Sequence, residues 1–336
     1  MQKNSKPADR LVRIIEEFPK LTITVLGDLI ADEFIYGEIA RVSREAPVLI
    51  LRHRDRTVVP GGAGNAIYNL AGLGVTVLPV GVVGDDEPGR LLLGAFRKKH
   101  ISISGIRRIK GHNTVTKTRV LAGMTHSTRQ QVIRVDREPE TSLDQAAVRE
   151  LIFETRGYVR ASDALLLSDY GYGAATPDIF DRIRARASLS SIPITVDSRY
   201  RTLAYCGVTA ATPNEPEIED ALRIKIGNDH NSLLAAGKVI LQKMKLQSLL
   251  ITRGKDGMVV FSRGQQPVSI PVYGSDEAAD VTGAGDTVIA TYTAALAAGA
   301  DAESAARLAN YAGGIVVMKR GTATVTRDEL LHAVSR

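Results

Sequence analysis

Apolar and polar residues alternate along the chain in two different periods, and this alternation predicts an α/β fold. Segments with apolar residues at helical spacing are separated by short apolar runs that are typical of buried strands. The predicted helices span 8–18, 66–73, 88–100, 143–158, 176–187, 232–244 and 288–298. The predicted strands span 21–26, 75–80, 101–109, 164–171, 193–199 and 249–254, with a short strand and a polar turn within 208–217 and an antiparallel pair at 257–262 and 267–272. Strands that alternate regularly with helices along the chain imply a mostly parallel sheet.

Two segments interrupt this order with strands that have no helix between them. The first contains strands at 34–42 and 48–54, and the second contains strands at 114–121 and 131–136. Strands without an intervening helix are expected to pair antiparallel. We expect the two segments, within 34–60 and 113–136, to join in a small sheet that covers a cleft as a lid. The simplest architecture is one α/β domain over residues 1–336 with a small β-sheet lid.

Composition narrows the class of protein. The 336 residues are 44% hydrophobic and 24% charged, as in an ordinary globular protein, and the single cysteine excludes an internal disulfide. The chain has no run of 18 apolar residues and its first ten residues lack a signal core, so we expect no membrane span and a cytoplasmic location. The net charge of +6 is scattered and aromatic residues are only 5%, which favours an anionic small molecule over nucleic acid as a partner.

The glycine-rich turn at 280–287 carries the clearest chemical signal. Gly283, Ala284 and Gly285 stand before a predicted helix, so N–H groups should point unpaired at one spot, where the helix dipole adds positive charge. Such a spot suits a phosphate or a developing negative charge, and Asp286 lies among these amides. The alternative is a tight turn in which Asp286 is only an N-cap.

Polar residues also follow other strands, at the edge where α/β sheets bind ligands. Asp28 ends the first strand, although a turn or cap role is an alternative. Gly61 and Gly62 would let a ligand approach the backbone closely, and Asn65 offers both a donor and an acceptor. The lid carries three cations that are candidates for holding an anionic substrate, unless they form a solvated strand face: Lys117, Arg119 and Arg134.

Four motifs together resemble the ribokinase-like (PfkB) carbohydrate kinases over nearly the full length of the chain. They are Gly-Asp at 27–28, Gly-Gly-x-x-Asn at 61–65, Asn-x-x-Glu at 214–217 and Asp-x-x-Gly-Ala-Gly-Asp at 280–286. The resemblance implies a three-layer α/β/α domain with a mostly parallel central sheet and a small β-sheet lid. It also implies an ATP-dependent sugar kinase that uses ATP and Mg²⁺.

The same resemblance implies a role for each matching residue. Asp286 would be the general base, and the amides of Gly283, Ala284 and Gly285 would form an anion hole. The residues implied to bind the sugar are Asp28, Gly61, Gly62 and Asn65. The residues implied to bind the nucleotide are Asn214, Thr252, Gly254 and Asn310. The residues implied to hold the metal, through water, are Asn214 and Glu217.

Within the family, the lid and cleft segments resemble the branch that phosphorylates D-glycero-D-manno-heptose 7-phosphate at O1, a precursor of lipopolysaccharide core. The resembling segments are 36–37, 43–48, 116–121, 131–136 and 167–170. This implies that Lys117, Arg119 and Arg134 hold the distal 7-phosphate. The chain departs from the pattern at Gly64, at Ser198-Arg199 and in a longer turn at 123–128, which bears on the choice of sugar. Because the chain ends at Arg336, we expect the kinase half without the adenylyltransferase half of some relatives.

Other functions stay open at this stage. Another sugar, sugar-phosphate or nucleoside kinase of the same family is the nearest alternative. A non-catalytic sugar- or nucleotide-binding regulator would have the same fold, but the intact glycine turn and Asp286 disfavour it. A dehydrogenase would need Gly-x-Gly-x-x-Gly after the first strand, where residues 27–29 are Gly-Asp-Leu. The exposed lid strands predict a homodimer.

Overall fold

Strands and helices alternate through most of the chain, as the two periods predict. The computed structural model describes residues 7–123, 130–186, 189, 191–227, 229–274, 279–319 and 321–335, so the longer lid turn predicted at 123–128 lies outside the described residues from 124 onward. The strands are β1 (Thr22–Gly27), β2 (Leu29–Val42), β3 (Leu49–Gly62), β4 (Thr76–Gly84), β5 (Gly105–Ile109), β6 (Thr116–Gly123), β7 (Gln130–Arg137), β8 (Ala164–Asp169), β9 (Ile194–Ser198), β10 (Ala210–Ala211), β11 (Ser248–Thr252), β12 (Met258–Ser262) and β13 (Val268–Ile270). The helices are α1 (Pro7–Glu17), α2 (Ala63–Gly72), α3 (Glu87–Lys98), α4 (Gln145–Tyr158), α5 (Pro177–Arg184), α6 (Glu215–Leu222), α7 (His230–Lys243), α8 (Ala284–Ala297), α9 (Ala302–Val317) and α10 (Arg327–Val334).

The central sheet has the strand order β13-β12-β11-β10-β9-β8-β1-β4-β5. The strands from β11 to β5 in this order are all parallel, whereas β12 pairs antiparallel with both β11 and β13. The parallel strands therefore end at the same edge of the sheet, and the residues that follow them are brought together there. This arrangement confirms the mostly parallel sheet that the sequence predicts.

Helices cover both faces of this sheet and bury two separate cores. One core packs α1, α2, α3, α8, α9 and α10 on the sheet, with Phe18, Phe96 and Tyr292 among its largest buried side chains. The other packs α4, α5, α6 and α7 on the opposite face around Phe180 and Phe261. The three-layer α/β/α architecture is thereby confirmed. Among the described helices, none has both the length and the apolar character needed to cross a membrane.

The lid is a four-stranded sheet in the order β3-β2-β6-β7, which confirms that the two interrupting segments join. Strand β2 pairs antiparallel with β3 and parallel with β6, and β6 pairs antiparallel with β7. The first two strands are longer than the sequence predicts. Strand β2 begins at Leu29, with only Asp28 between it and β1, and β3 runs to Gly62, directly before α2. The lid is therefore joined to the central domain without a loop at either end of this hairpin.

Helices α9 and α10 are absent from the predicted helices, and three other differences from the prediction involve a glycine or a proline. Helix α2 begins at Ala63 rather than 66, because Gly62 adopts a φ of 56° and turns the chain into the helix. Helix α8 begins at Ala284 rather than 288, because Gly283 takes a left-handed conformation with a φ of 79° as its N-cap. Helix α6 occupies the predicted polar turn, where Pro216 fits the first turn of a helix.

Candidate active site

Asp286 lies in the first turn of α8, and its carboxylate is buried. Its Oδ1 accepts a hydrogen bond from the hydroxyl of Tyr170 at 2.7 Å. Its Oδ2 accepts a second bond from Nδ2 of Asn65 at 3.0 Å. Gly283 is the N-cap of the helix and no side chain caps it, so Asp286 does not play the capping role considered as an alternative.

Burial raises the pKa of Asp286 to about 7, and this is the largest influence on the carboxyl group. The hydrogen bonds from Asn65 and Tyr170 act in the opposite direction, because a donor stabilises the ionised form. The charge of Asp32 raises the pKa further, and that of Lys117 lowers it. A carboxyl group that titrates near neutral pH can take up and release a proton during a reaction.

Asn65 is placed beside Asp286 rather than facing an open cleft. Its Nδ2 also donates to the carbonyl oxygen of Gly283 at 3.1 Å, and its Oδ1 accepts from Asn69 at 3.2 Å. Both ends of the amide are thus engaged within the protein. In this arrangement Asn65, which was expected to bind sugar, fixes the glycine turn and the carboxylate of Asp286 relative to α2.

Asp28 holds the loop that follows β8. Its Oδ1 accepts the backbone N–H of Ala174 at 2.9 Å, and its Oδ2 accepts those of Tyr170 and Tyr172 at 2.8 and 3.0 Å. Burial raises the pKa of Asp28 to about 6, although the three amides lower it. The structure therefore gives Asp28 three loop amides as partners, and the expectation that it binds a sugar hydroxyl stays a prediction.

Gly61 and Gly62 end strand β3 and pack closely against the beginning of β2 and the residue before it. A Cβ on Gly61 would lie 2.2 Å from Oδ2 of Asp32, and a Cβ on Gly62 would lie 2.9 Å from the carbonyl oxygen of Asp28. Their lack of side chains is required by these protein contacts. The expectation that the two glycines make room for a ligand stays a prediction.

Lys117 lies on the lid strand β6 and is buried. Its ammonium group lies 5.2 Å from the centre of the Tyr170 ring and 5.9 Å from that of Tyr172. Burial lowers the pKa of Lys117, the charge of Asp32 raises it, and the nearby cations of Arg134 and Arg199 lower it. A buried ammonium beside other cations suits an anionic group of a ligand.

The other two lid cations are paired with acids. Nη1 of Arg119 lies 2.6 Å from Oδ1 of Asp32, and both side chains are largely buried. Arg134 binds both oxygens of Asp136, at 2.7 and 2.6 Å, on the more exposed strand β7. An arginine has five N–H donors, so a paired guanidinium still has donors for a phosphate.

The first turn of α8 offers backbone N–H groups to one side of Asp286. The N–H of Ala284 donates to the carbonyl oxygen of Val281 at 3.2 Å, so this amide is engaged in the turn. Gly285 and Asp286 follow in the first turn, where N–H groups have no helical carbonyl to bind. A Cβ on Gly285 would meet nothing within 4 Å, so the chain is open there.

A cavity of about 350 Å³ adjoins this turn. Its walls are mostly apolar, and Ala284 and Gly285 form one end of it. It contains the predicted nucleotide-site residues Thr252, Gly254 and Asn310, together with glycines of α9. Nδ2 of Asn310 donates to the carbonyl oxygen of Pro271 at 2.8 Å and fixes the wall. A cavity of this size and lining suits a nucleotide base and its sugar.

Asn214 and Glu217 bind each other in a capping box at the start of α6. Oδ1 of Asn214 accepts the N–H of Glu217 at 2.9 Å, and Oε2 of Glu217 accepts the N–H of Asn214 at 3.0 Å. Asn214 also pairs with Thr252 through a β-bridge, which brings this turn to the cavity. One carboxylate oxygen of Glu217 has no part in the capping box.

Asp197, near the end of β9, is close enough to Glu217 and Asp286 to be affected by their charges. Burial raises the pKa of Asp197 well above its usual value, and the charges of Glu217, Asp286 and Asp169 raise it further. Burial also raises the pKa of Glu217. Within the described part of the chain, no cluster of three or more histidine, cysteine or acidic residues has the geometry of a metal site.

Sequence reasoning did not assign roles to three residues of this site: Tyr170, Asp32 and Asp197. Asp197 and Asp32 could have been found, because both are acids at or just after the end of a buried strand. Tyr170 carries no such signal, since its role depends on a partner that is 116 residues away in the chain.

The chain matches the family model described as pfkB family carbohydrate kinase over residues 22–329. It is 40% identical over 312 residues to the bifunctional protein HldE of Pelobacter propionicus, covering 93% of this chain and 62% of that protein. It is 41% identical over 311 residues to the same-named protein of Geobacter sulfurreducens, covering 92% and 62%. The chain thus spans under two thirds of the length of these relatives.

Solved structures with the same fold are more distant in sequence. Arabidopsis thaliana ribokinase complexed with ribose and ATP superposes with a TM-score of 0.72 at 17% identity, covering 94% of this chain and 99% of that one. Phosphofructokinase-2 from Escherichia coli, in complex with substrates and products, superposes with a TM-score of 0.74 at 16% identity, covering 94% and 98%. At this level of identity the likeness establishes the fold.

Proposed function

Because the chain belongs to the pfkB family of carbohydrate kinases, we propose that it transfers the γ-phosphate of ATP to O1 of D-glycero-D-manno-heptose 7-phosphate. An ATP-dependent sugar kinase follows from the family itself. The finer assignment rests on one arrangement: the buried carboxylate of Asp286 lies between the nucleotide-sized cavity and the lid cation Lys117.

Asp286 acts as the general base in this proposal. Its carboxylate accepts the proton of the attacking sugar hydroxyl and orients the oxygen toward the γ-phosphate. Phosphoryl transfer has a loose transition state, so positioning matters more than early removal of the proton. A pKa of about 7 keeps a substantial fraction of the group ionised at neutral pH. The open first turn of α8, at Gly285, stabilises charge on the transferred group.

ATP occupies the cavity beside α8 and α9, with Thr252, Gly254 and Asn310 around it. Glu217 and Asp197 fit a divalent cation, because the charge of Glu217 raises the pKa of the buried Asp197 and a cation would relieve that repulsion. Mg²⁺ bound there would neutralise phosphate charge. It keeps several waters, so Glu217, Asn214 and Asp197 would hold it through few direct contacts.

The lid supplies the choice of sugar. Lys117 is buried beside two aromatic rings, and its ammonium can pair with a phosphate on the substrate in addition to the nearby charge of Asp32. Arg119 and Arg134 contribute to the same phosphate the N–H donors that are not bound to Asp32 and Asp136. The likeness of the lid segments to the heptose 7-phosphate branch of the family supports the same substrate.

The test is a panel of sugars, with and without a terminal phosphate, supplied with Mg·ATP to the purified protein. ADP release gives the rate, and ³¹P NMR of the product identifies the oxygen that is phosphorylated. We expect the highest kcat/KM with heptose 7-phosphate and an anomeric phosphate in the product. A better acceptor that lacks the terminal phosphate would instead support another sugar or nucleoside kinase. Binding without turnover on any acceptor would support a regulator.

A further inference from the structure

Tyr170 touches the carboxylate of Asp286 although it belongs to none of the four motifs. Its hydroxyl lies 2.7 Å from Oδ1, opposite the bond that Asn65 makes to Oδ2. Burial and the charge of Asp286 raise the pKa of Tyr170 well above its usual value. The phenol therefore stays protonated and donates to the carboxylate throughout the range in which the enzyme works.

The loop that carries Tyr170 is fixed by two buried acids. Asp28 accepts the backbone N–H of Tyr170 itself at 2.8 Å, and it accepts two further amides of the loop. Asp169 accepts the backbone N–H of Gly171 at 3.0 Å, and it also accepts the hydroxyl groups of Ser198 and Tyr205. With its backbone amide held in this way, the ring of Tyr170 has a defined position relative to α8.

We propose that Tyr170 is a positioning residue for the base: its hydroxyl holds the rotamer of Asp286 and favours the ionised carboxylate. The proposal rests on the role of Asp286 proposed above. Asn65 and Tyr170 each engage one oxygen, from α2 and from the loop after β8, so the carboxylate cannot rotate without breaking both bonds. The remaining lone pairs of Oδ1 and Oδ2 are left for the substrate hydroxyl.

Other charged groups face Asp286 from the elements packed around it. They are Asp32 on β2, Lys117 on β6 and Asp197 on β9. The substitution Tyr170→Phe leaves all of them in place and keeps the aromatic ring against which Lys117 lies. It removes only the hydroxyl donor, so any change in the titration of the base reports on that bond.

The experiment measures the pH dependence of kcat/KM for the best acceptor at saturating Mg·ATP. Loss of a hydrogen bond to a carboxylate should move the acid limb of Tyr170→Phe upward by about one pH unit, or about tenfold in rate on that limb. The matched control is Tyr292→Phe. Tyr292 lies on α8, the same helix as Asp286, and the substitution removes a buried hydroxyl that donates to Ser248 on β11. This control should leave the acid limb where it is in the wild type.

A second variant tests the same bond in the opposite direction. Replacing Tyr170 by 3-fluorotyrosine makes the phenol a stronger donor and should move the acid limb to lower pH. The proposal would be overturned if the acid limb stayed unchanged in both variants. It would also be overturned if Tyr170→Phe lowered the KM for the sugar, because the hydroxyl would then only occupy the substrate's place. Turnover that survives in Asp286→Asn would overturn the base assignment itself, which separates the two failures.

Discussion

Asp286→Asn should abolish phosphoryl transfer and stabilise the fold at the same time. Burial is the largest reason that the pKa of Asp286 rises from 3.8 to about 7. An acid with a raised pKa binds its proton more tightly in the folded state than in the unfolded chain. Stability is therefore lost as the pH rises from about 4 through about 7. An asparagine carries no charge and removes this penalty.

The magnitude follows from the two pKa values, 3.8 in the unfolded chain and about 7 in the folded state. The penalty on the wild type is about 1.7 kcal/mol at about pH 5 and about 4 kcal/mol at about pH 8. The advantage of the variant should thus grow by about 2.5 kcal/mol between these conditions. For a chain of this length the unfolding entropy is about 0.7 kcal/mol/K, which gives about 3 to 4 °C in Tm. Costs that do not depend on pH, such as the new amide meeting Asn65, cancel in the difference.

The assay is thermal unfolding of both proteins at the two pH values, with ADP release measured in parallel. The control is Asp178→Asn, which removes one negative charge from an exposed acid in the first turn of α5. Its effect on Tm should be small and equal at both pH values. If the gain of Asp286→Asn does not grow with pH, the carboxyl group does not have a raised pKa and the reasoning is refuted.

Three further predictions concern the lid. Lys117→Met should raise KM for phosphorylated sugars by about tenfold or more and leave KM for ATP unchanged; equal effects on both substrates would make the ammonium part of a structural cluster only. Gly61→Ala should cost about 1 to 3 kcal/mol in urea unfolding, because its Cβ meets a lid carboxylate, whereas the control Gly94→Ala, in open space on α3, should gain about 0.5 to 1 kcal/mol. Ile133→Lys combined with Val135→Lys, at two exposed positions of the edge strand β7, should convert a homodimer into a monomer in sedimentation velocity; a wild-type monomer would refute the dimer.

The sequence was informative wherever a local pattern decides the structure. The acid that ends the first buried strand placed Asp28 at the edge of the sheet where the parallel strands end together. The glycine turn correctly placed Asp286 at the start of a helix. The capping pattern of Asn214 and Glu217 was also visible, although it was interpreted as a turn and α6 was missed. A proline after an N-cap residue is equally a helix-start signal.

The partners of these side chains were not predictable, because they come from distant parts of the chain. The amide of Asn65 meets a carboxylate 221 residues away, and Asp28 accepts amides 142 to 146 residues away. A polar side chain such as that of Asn65 or Asp28, at the edge of the sheet where ligands bind, suits a sugar hydroxyl and a neighbouring protein group equally well. The packing of α2 against α8 and of β1 beside β8 supplies the protein partners, and the sugar-binding roles of Asn65 and Asp28 stay predictions.

The lid is connected to Asp286 through the first turn of α2. Strand β3 ends at Gly62, α2 begins at the next residue, and Asn65 in its first turn binds Asp286. A shift of the lid at this glycine therefore moves the donor that fixes one oxygen of the carboxylate. Substitutions at the lid boundary should accordingly change kcat together with KM, whereas substitutions further out, on β7, should change KM alone. The proposed sugar recognition and proton transfer are in this sense coupled through one segment, which runs from β3 into α2 and carries the amide that donates to Asp286.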